Sequence, residues 1–517
     1  MQKDKTFVSG QRRYHRPARA ALALTALLLS GCAVGPDFSR PKAPQEAGYT
    51  AETPAAPVAT PGLPGGAAQD FAAGQDIPGQ WWTLFRSPSL NALIEEALKA
   101  NPDVAAAQAA LRQARETAYA DQGGFFPTVT ANASGTREKT SPASPFSVAT
   151  ASLNVSYSPD VFGGVDRTVE ASEAQGDYQR FQVEATYLTL TANVVNTAVT
   201  IASLRDQIAA TEAIIKIESD QLALMKEREN LGAIARADIL TQEASLDQTR
   251  ATLPPLQKQL DQARNQLMAY VGRFPNQSKG ESFDLASLHL PESLPLSLPS
   301  QLVAQRPDVR SAEAQLHTAS ANIGVAIANQ LPQFTITGQI GSSASSLANL
   351  FNPGTAIWTI AGAAAQTIFD GGAAEHRKRA AEAGYDQASA QYRKSVIGAF
   401  QDVANALRAL QADADALKAQ AAAEQSAQTS LDLAREQYRL GAIDNLLLLN
   451  AEQTYENALL GRVRAQAARY SDTVALFQAL GGGWWNRNDV MAEAGSVQRF
   501  ALPPVQEIRL RSQGQKE

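Results

Sequence analysis

The chain is written twice. Pro102-Asp103-Val104, Leu111, Pro127 and Thr130 return as Pro307-Asp308-Val309, Leu316, Pro332 and Thr335, each 205 positions later. Farther along the spacing becomes 209: Asn196 matches Asn405, Leu231-Gly232-Ala233-Ile234 matches Leu440-Gly441-Ala442-Ile443, Glu243 matches Glu452, Leu267 matches Leu476, and Gly272 matches Gly481. One register held over so many positions identifies an internal duplication. The change of spacing falls in a hairpin, where insertions are tolerated. Any fold must therefore solve one packing problem twice.

Each unit opens with a helix, 102 to about 123 and 307 to about 329, and breaks at Gly123-Gly124 or near Gln330. Period-two alternation follows Pro127 and Pro332. In Thr128-Val129-Thr130-Ala131-Asn132-Ala133-Ser134, in Thr150 to Tyr157, in Phe334-Thr335-Ile336-Thr337 and, less cleanly, in Trp358 to Gln366, one face is apolar and the other carries Ser, Thr and Asn. A polar second face with few charges suits a strand between lipid and a wet lumen. Arg137 to Phe146 and Ser342 to Thr355 read as hairpin loops.

No proline interrupts Gly163–Asn230 or Gly372–Arg439. At about 1.5 Å per residue each stretch reaches on the order of 100 Å as a helix. Aromatics make up only 7% of the chain, whereas Ala, Gln and Leu crowd it from residue 88 onward, as in long helices packed through small side chains. Leu407, Leu410, Ala414, Leu417 and Ala421 follow coiled-coil spacing. Gly232 and Gly441 stop these helices, and two returning helices, about 236 to 271 and 444 to 480, complete antiparallel pairs. Pro254-Pro255 is expected to kink or divide the first of them.

The N-terminus is separate from this fold. Arg12, Arg13, Arg16 and Arg19 precede an apolar run, Ala20 to Leu29, that is too short to span a bilayer as a mature helix, which is the pattern of an export signal. It ends in Leu29-Ser30-Gly31-Cys32, which resembles the lipobox of bacterial lipoproteins and implies that Cys32, the only cysteine, takes a lipid. Ala33 and Val34 lack the Asp that marks inner-membrane retention, so the resemblance implies sorting to the outer membrane. Removal of the signal lowers the formal charge from -6 to about -11, which argues against nucleic-acid binding. Residues 33–80, with eight prolines and almost no periodic pattern, read as an extended tether, and the fold is expected to begin near Trp81-Trp82. Ser87-Pro88 and Asn101-Pro102 are helix starts.

Two hairpins per chain supply four strands, and a membrane sheet with open edges leaves unpaired backbone groups costing several kcal/mol each. Membrane barrels need about eight strands or more, so two chains are the minimum, and three give a twelve-stranded pore. Geometry alone allows either.

Trp81-Trp82 followed by Leu90 to Ala114, both Pro-Asp-Val motifs, the Phe162-Gly163-Gly164 and Phe369-Asp370-Gly371-Gly372 breaks, and the Tyr438-Arg439-Leu440-Gly441 turn resemble the TolC family across essentially the whole mature chain. With the lipobox and Gly35-Pro36-Asp37-Phe38, the resemblance is to its lipoprotein branch, the OprM and NodT type. It implies an all-α protein with a membrane β-barrel portion: a homotrimer with a twelve-stranded outer-membrane barrel continued by a long α-helical coiled-coil barrel across the periplasm. It also implies a passive duct for small toxic compounds or drugs, working with a periplasmic adaptor and an inner-membrane RND-type transporter. On this reading the chain divides into a signal peptide (1–31), a lipidated tether (32–80) and a first repeat (81–272) with hairpin 125–162 and long helices 163–230 and 236–271. A connector (273–300), a second repeat (301–483) with hairpin 332–369 and helices 372–439 and 444–480, and a tail (484–517) follow. Connector and tail contribute to an equatorial belt.

His15, His289, His317 and His376 are isolated, and nothing resembles a zincin, P-loop or nucleophile elbow, so no enzyme, metal site or cofactor is expected. The family closes its channel at the far end of the long helices, which matches Tyr438 to Asn450 here. Tyr438 matches a family gate tyrosine. The family's acidic ring falls on Leu447 and Asn450, so a direct copy of that ring is absent; Leu447 suits an apolar constriction. Asp444 has two readings, a helix N-cap and a gate acid. Asp432 and Glu436 lie four apart on one helix face, either as negative charge at the duct mouth or as a solvated coiled-coil face. Two other functions stay open: a type I secretion channel for polypeptides, and a structural coiled-coil lipoprotein with no pore.

Overall fold

The computed structural model describes residues 33–46, 48–52, 55–142 and 144–487. Its first half contains strand β1 (Asp70–Ala73), helices α1 (Pro88–Ala100) and α2 (Pro102–Gln122), strands β2 (Thr128–Glu138) and β3 (Phe146–Tyr157), and helices α3 (Gly164–Asn230) and α4 (Arg236–Tyr270). The second half contains β4 (Ser293–Leu296), α5 (Pro299–Gln305), α6 (Pro307–Ala328), β5 (Gln333–Ala344), β6 (Ala356–Ala365), α7 (Ala373–Arg439) and α8 (Asn445–Ala479). The duplication reaches the backbone. Helices α2 and α6, and strands β2 and β5, begin 205 residues apart, whereas α3 and α7 end, and α4 and α8 begin and end, 209 apart.

Helix starts obey local chemistry. Ser87 Oγ accepts from Leu90 N at 3.4 Å, and Asn101 Oδ1 accepts from Asp103 N at 2.8 Å, each followed by a proline whose missing N–H is an orphan there anyway. Asn101 also donates through Nδ2 to Tyr270 O at 2.9 Å. In the second unit Arg306 stands at the equivalent place and donates through Nη1 to Ala479 O, the equivalent carbonyl, at 2.9 Å. Different side chains thus perform the same tie between the start of one helix and the end of another. Next to each tie, Gly272 (φ 72°) and Gly481 (φ 93°) bring backbone so close that a Cβ would stand 2.4 Å from Ala100 O and 2.8 Å from Gln305 O.

Around these ties lies the main core, with Trp81, Phe85, Leu90, Ile94, Val195, Val309, Val403, Tyr470 and Phe477 all buried. Trp81 stacks on Phe477 at 5.3 Å between centroids. Each such side chain contributes about 1.5–3 kcal/mol by burial, so this region is the anchor of the chain. Strands β1 and β4 pair in parallel beside it.

At one end the sheet runs β2-β3-β5-β6, all antiparallel. Its register puts Val129, Leu153, Val155, Ile336, Ile340, Trp358 and Ile360 on one face, and Thr130, Asn154, Ser152, Thr337, Gln339 and Thr359 on the other. The apolar face is bare: Trp358 is 74% and Ile360 76% exposed. Strands of 10 to 12 residues match the length that crosses a bilayer.

Away from the sheet run α3 and α7, each of 67 residues and about 100 Å long, paired with α4 and α8. Leu407, Leu410, Ala414 and Leu417 fill the seam of the second pair. Pro254 and Pro255 do not divide α4, which runs unbroken from Arg236 to Tyr270; both are exposed, so the carbonyls they free face water, while buried Leu246 and Leu260 hold the helix on either side.

Residues 33–80, expected as an extended tether, form a strap docked on the helices. Arg167, almost fully buried, donates to Val34 O at 3.1 Å and pairs with Asp37 at 2.7 Å. Phe38 stacks on His317 at 4.3 Å, and Arg40 meets Glu313 at 3.0 Å. Near the core, buried Arg469 donates to Gly65 O at 2.7 Å and Ala67 O at 3.0 Å. The segment is thus held both through its carbonyls and through the side chains of Asp37, Phe38 and Arg40. Cys32 and residues 488–517 lie outside the described residues, and so does the lipidation expected at Cys32.

Candidate functional site

The turns joining the long helices to their returning partners lie at the end opposite the sheet. Both close the same way: Gly232 (φ 72°) and Gly441 (φ 73°) adopt the left-handed conformation, and Ala233 N and Ala442 N donate back to Arg228 O at 2.9 Å and Gln437 O at 2.8 Å. Beneath each turn sits a small apolar cluster. Leu222, Met225, Ile239 and Leu246 form the first; Leu431, Ala434 and Leu448, with Tyr438, Ile443 and Tyr455 against them, form its counterpart.

The two tips differ in their polar chemistry. Glu229 and Arg236 pair at 3.3 Å in the first unit, and the equivalent residues of the second are Tyr438 and Asn445. Arg228 lies over the Tyr438 ring, its guanidinium carbon 5.7 Å from the centroid, so the first tip grips the second. Burial pushes the Tyr438 hydroxyl above its ordinary pKa, and Arg228 opposes that shift.

Asp444 is the N-cap of α8: its Oδ1 accepts from Leu447 N at 2.9 Å. Ala235, its counterpart, has no side-chain oxygen, and Asp238 reaches back to its N–H instead. Leu447 is 52% exposed, and Asn450 is exposed as well. Asp432 is exposed and accepts from Gln428, and Glu436 is held by Arg439 at 3.0 Å, which keeps its carboxyl below the ordinary value. The structure thus brings Tyr438 to Arg228 and turns Asp444 onto its own helix. Leu447, Asn450, Asp432 and Glu436 point away from this chain's core.

A buried acidic layer above the tip escapes a reading of motifs. Glu452 is only 4% exposed; Arg435 lies 3.8 Å away, and neither carboxylate oxygen receives a hydrogen bond from a described residue. Burial raises its pKa to about 7, Arg435 opposing the shift and Glu218 adding to it. Glu218, from α3, takes a hydrogen bond from Ser245 at 3.3 Å, and both it and Glu456 are also raised by burial. The duplication carried a hint. Lys226–Glu243, the pair equivalent to Arg435–Glu452, is a solvated bridge at 2.8 Å, so one ion pair exists in a wet and a dry version.

Nearer the sheet, helices α2, α3 and α6 enclose an open, uncharged groove of about 500 Å³ lined by Gln113, Thr117, Gln175 and Asn322 together with Ala114 and Val325. Among the described residues no three His, Cys, Asp or Glu side chains gather to hold a metal.

Residues 93–273 and 298–482, most of both units, match the profile of a family described as outer membrane efflux protein. The pyoverdine export outer membrane protein OpmQ of Pseudomonas putida is 29% identical over 423 residues, covering 79% of this chain and 89% of that one. The cation efflux system protein CusC of Escherichia coli K12 is 27% identical over 472 residues, 90% and 100% of the two chains. Among solved structures, the outer-membrane channel OprN superposes with a TM-score of 0.79 at 26% identity, covering 88% of this chain and all of its own. The open state of the Neisseria gonorrhoeae MtrE channel gives 0.75 at 26% identity, with 88% and 99% covered.

Proposed function

The chain belongs to the outer membrane efflux protein family, and we propose that it is the lipid-anchored, trimeric exit duct of a tripartite pump for small toxic compounds. A periplasmic adaptor and an inner-membrane RND-type transporter supply the partners and the energy. The sheet carries this reading: its bare face is apolar, its other face is Ser, Thr, Asn and Gln, and among the described residues neither edge strand has a partner within the chain. Such a sheet is stable in lipid only as part of a closed ring around water.

The groove between α2, α3 and α6, lined by amides, hydroxyls and small apolar side chains without a charge, suits contact with many small amphiphilic compounds without selecting among them. Cys32 is the lipid attachment point, and the strap from Ala33 onward carries that anchor to the base of the sheet, where Val34 N donates to Phe162 O at 3.1 Å. The far tips form the gate, with Tyr438, Leu447 and Asn450 in the second unit as its moving part. Asp444 sets where α8 starts, and Asp432 and Glu436 give the mouth its negative charge.

Deleting the gene and measuring growth against a panel of dyes, detergents and antibiotics tests the cargo. Increased sensitivity, restored by the intact gene, is expected. Unchanged sensitivity together with lost secretion of a polypeptide would replace this reading by a protein-secretion channel.

A further inference from the structure

The duplication permits a step that a single chain does not display, namely how its two open edges meet. Within the chain, the first unit touches the second through β3 against β5 and α3 against α6. In a closed ring the second unit must touch the first unit of the next chain through β6 and β2, and through α7 and α2. If both junctions repeat one interface, the register of the second is dictated by the first.

The transfer uses the spacings already observed. Residues Ala149–Tyr157 of β3 oppose Ala344–Ile336 of β5. Moving β3 forward by 209 gives Trp358–Gln366, and moving β5 back by 205 gives Lys139–Ala131. We infer that β6 of one chain pairs antiparallel with β2 of the next in that register, placing Gly362 opposite the partner's Gly135, Ala364 opposite the partner's Ala133 and Thr359 opposite the partner's Glu138.

Independent features support it. A one-residue slip would turn every side chain of one strand to the wrong face. The transferred register keeps Ile360, Gly362 and Ala364 on the apolar side with the partner's Arg137, Gly135 and Ala133, and Thr359 and Ala361 on the polar side with the partner's Glu138 and Thr136. The faces agree because both shifts carry the apolar face of one unit onto that of the other, which excludes a one-residue slip. The tip-ward helix contact agrees too. Inside the chain, a Cβ on Gly164 would come 3.1 Å from the Ala328 Cβ, so the helices touch because one partner is glycine. Transferred, the pair becomes Ala373 and the partner's Gly123: the glycine changes sides and one methyl is still accommodated. Gly123 has open space around it in the single chain. The same edge exposes Phe369 to 88%. Phe162, which packs on Phe334 at 6.3 Å inside the chain, transfers to Gly371, and Phe334 to the partner's Val129, so that ring pair has no copy at the outer junction.

This inference rests on the duct reading for its ring, and cysteine cross-linking of the full chain in outer-membrane vesicles tests it separately. Ala364→Cys with Ala133→Cys should, on mild oxidation, shift the chain from monomer to a covalent trimer band on a denaturing gel. Gly362→Cys with Ala133→Cys should leave it monomeric, since diagonal Cβ atoms are about 7–8 Å apart, whereas directly opposed ones, about 4.5–5.5 Å apart, need only a small backbone adjustment to reach the separation of about 3.5–4.5 Å in a disulfide. The singly substituted chains, which keep Cys32, control for other thiol pairs. Ala373→Cys with Gly123→Cys provides a helix-level pair that does not depend on barrel folding. Stronger cross-linking of the slipped pair, or none from either matched pair, overturns the register. Conducting channels with a different cross-link pattern would leave the duct standing and remove the register; matched cross-links without conductance would do the reverse.

Discussion

The guanidinium of Arg228, at the end of α3, rests over the ring of Tyr438, at the end of α7, with 5.7 Å from Arg228 Cζ to the ring centroid. It is a contact between the two units at the tip where each long helix turns back. A partly exposed cation–π contact contributes about 0.5–1 kcal/mol, which suits a latch that must release. Replacing Arg228 by Ala should therefore raise the open-to-closed ratio of single channels about two- to fivefold. Tyr438→Phe, which keeps the ring, should change it less; equal effects would mean that the hydroxyl, not the ring face, holds the tip.

The buried layer around Glu452 makes the tip sensitive to protons. Its pKa is raised from the ordinary 4.5 to about 7, so between those values the folded state binds more protons than the unfolded one. Stability is then fully present below about 4.5 and is lost as pH rises through about 7. Amide exchange in α8 should be slower at pH 5 than at pH 8 after correction for intrinsic rates. Glu452→Gln should flatten that difference, and a persistent difference in the variant would place the sensitivity elsewhere.

Asp444 acts through Leu447 N. Asp444→Ala should cost about 1 kcal/mol locally and speed exchange of the first turn of α8, while Asp444→Ser should restore protection. Increased conductance in the Ala variant without faster exchange would restore the acid to a gating role.

The strap is held by groups that can be removed singly. A Cβ on Gly324 would come within 2.9 Å of Val34 O, and Gly35 packs directly on Gly324. Gly324→Leu should expel residues near Val34 and open the strap to limited proteolysis, and Arg167→Ala should do the same by removing the donor to Val34 O and the partner of Asp37. An unchanged digestion pattern in both would show that the contacts nearer Arg469 suffice.

Much of this architecture was legible because local chemistry and the repeat agree. Asn101-Pro102, Gly232 and Gly441 mark helix limits by the rules of capping, and alternation in Thr128 to Ser134 marks a strand with two different faces. The docking of the strap was not legible, since many of its contacts are backbone carbonyls, Val34 to Arg167 and Gly65 and Ala67 to Arg469, and these cations look in sequence like ordinary solvated helix residues. Pro254-Pro255 leave α4 undivided, with buried Leu246 and Leu260 holding the helix on either side. At the tip, Tyr438 could be picked out but not Arg228, whose partner lies 210 residues away in the other unit. The capping role of Asp444 needed coordinates, since only the position of Leu447 N shows that contact.

The central claim is that the apolar-faced sheet closes between copies around a water-filled path that the helices prolong. Single-channel recording of the purified full chain in planar bilayers tests it most directly. The account predicts discrete conductance steps, infrequent in the native protein and more frequent in Arg228→Ala. Well-folded trimers that never conduct, with Arg228→Ala and Tyr438→Ala equally silent, would contradict it.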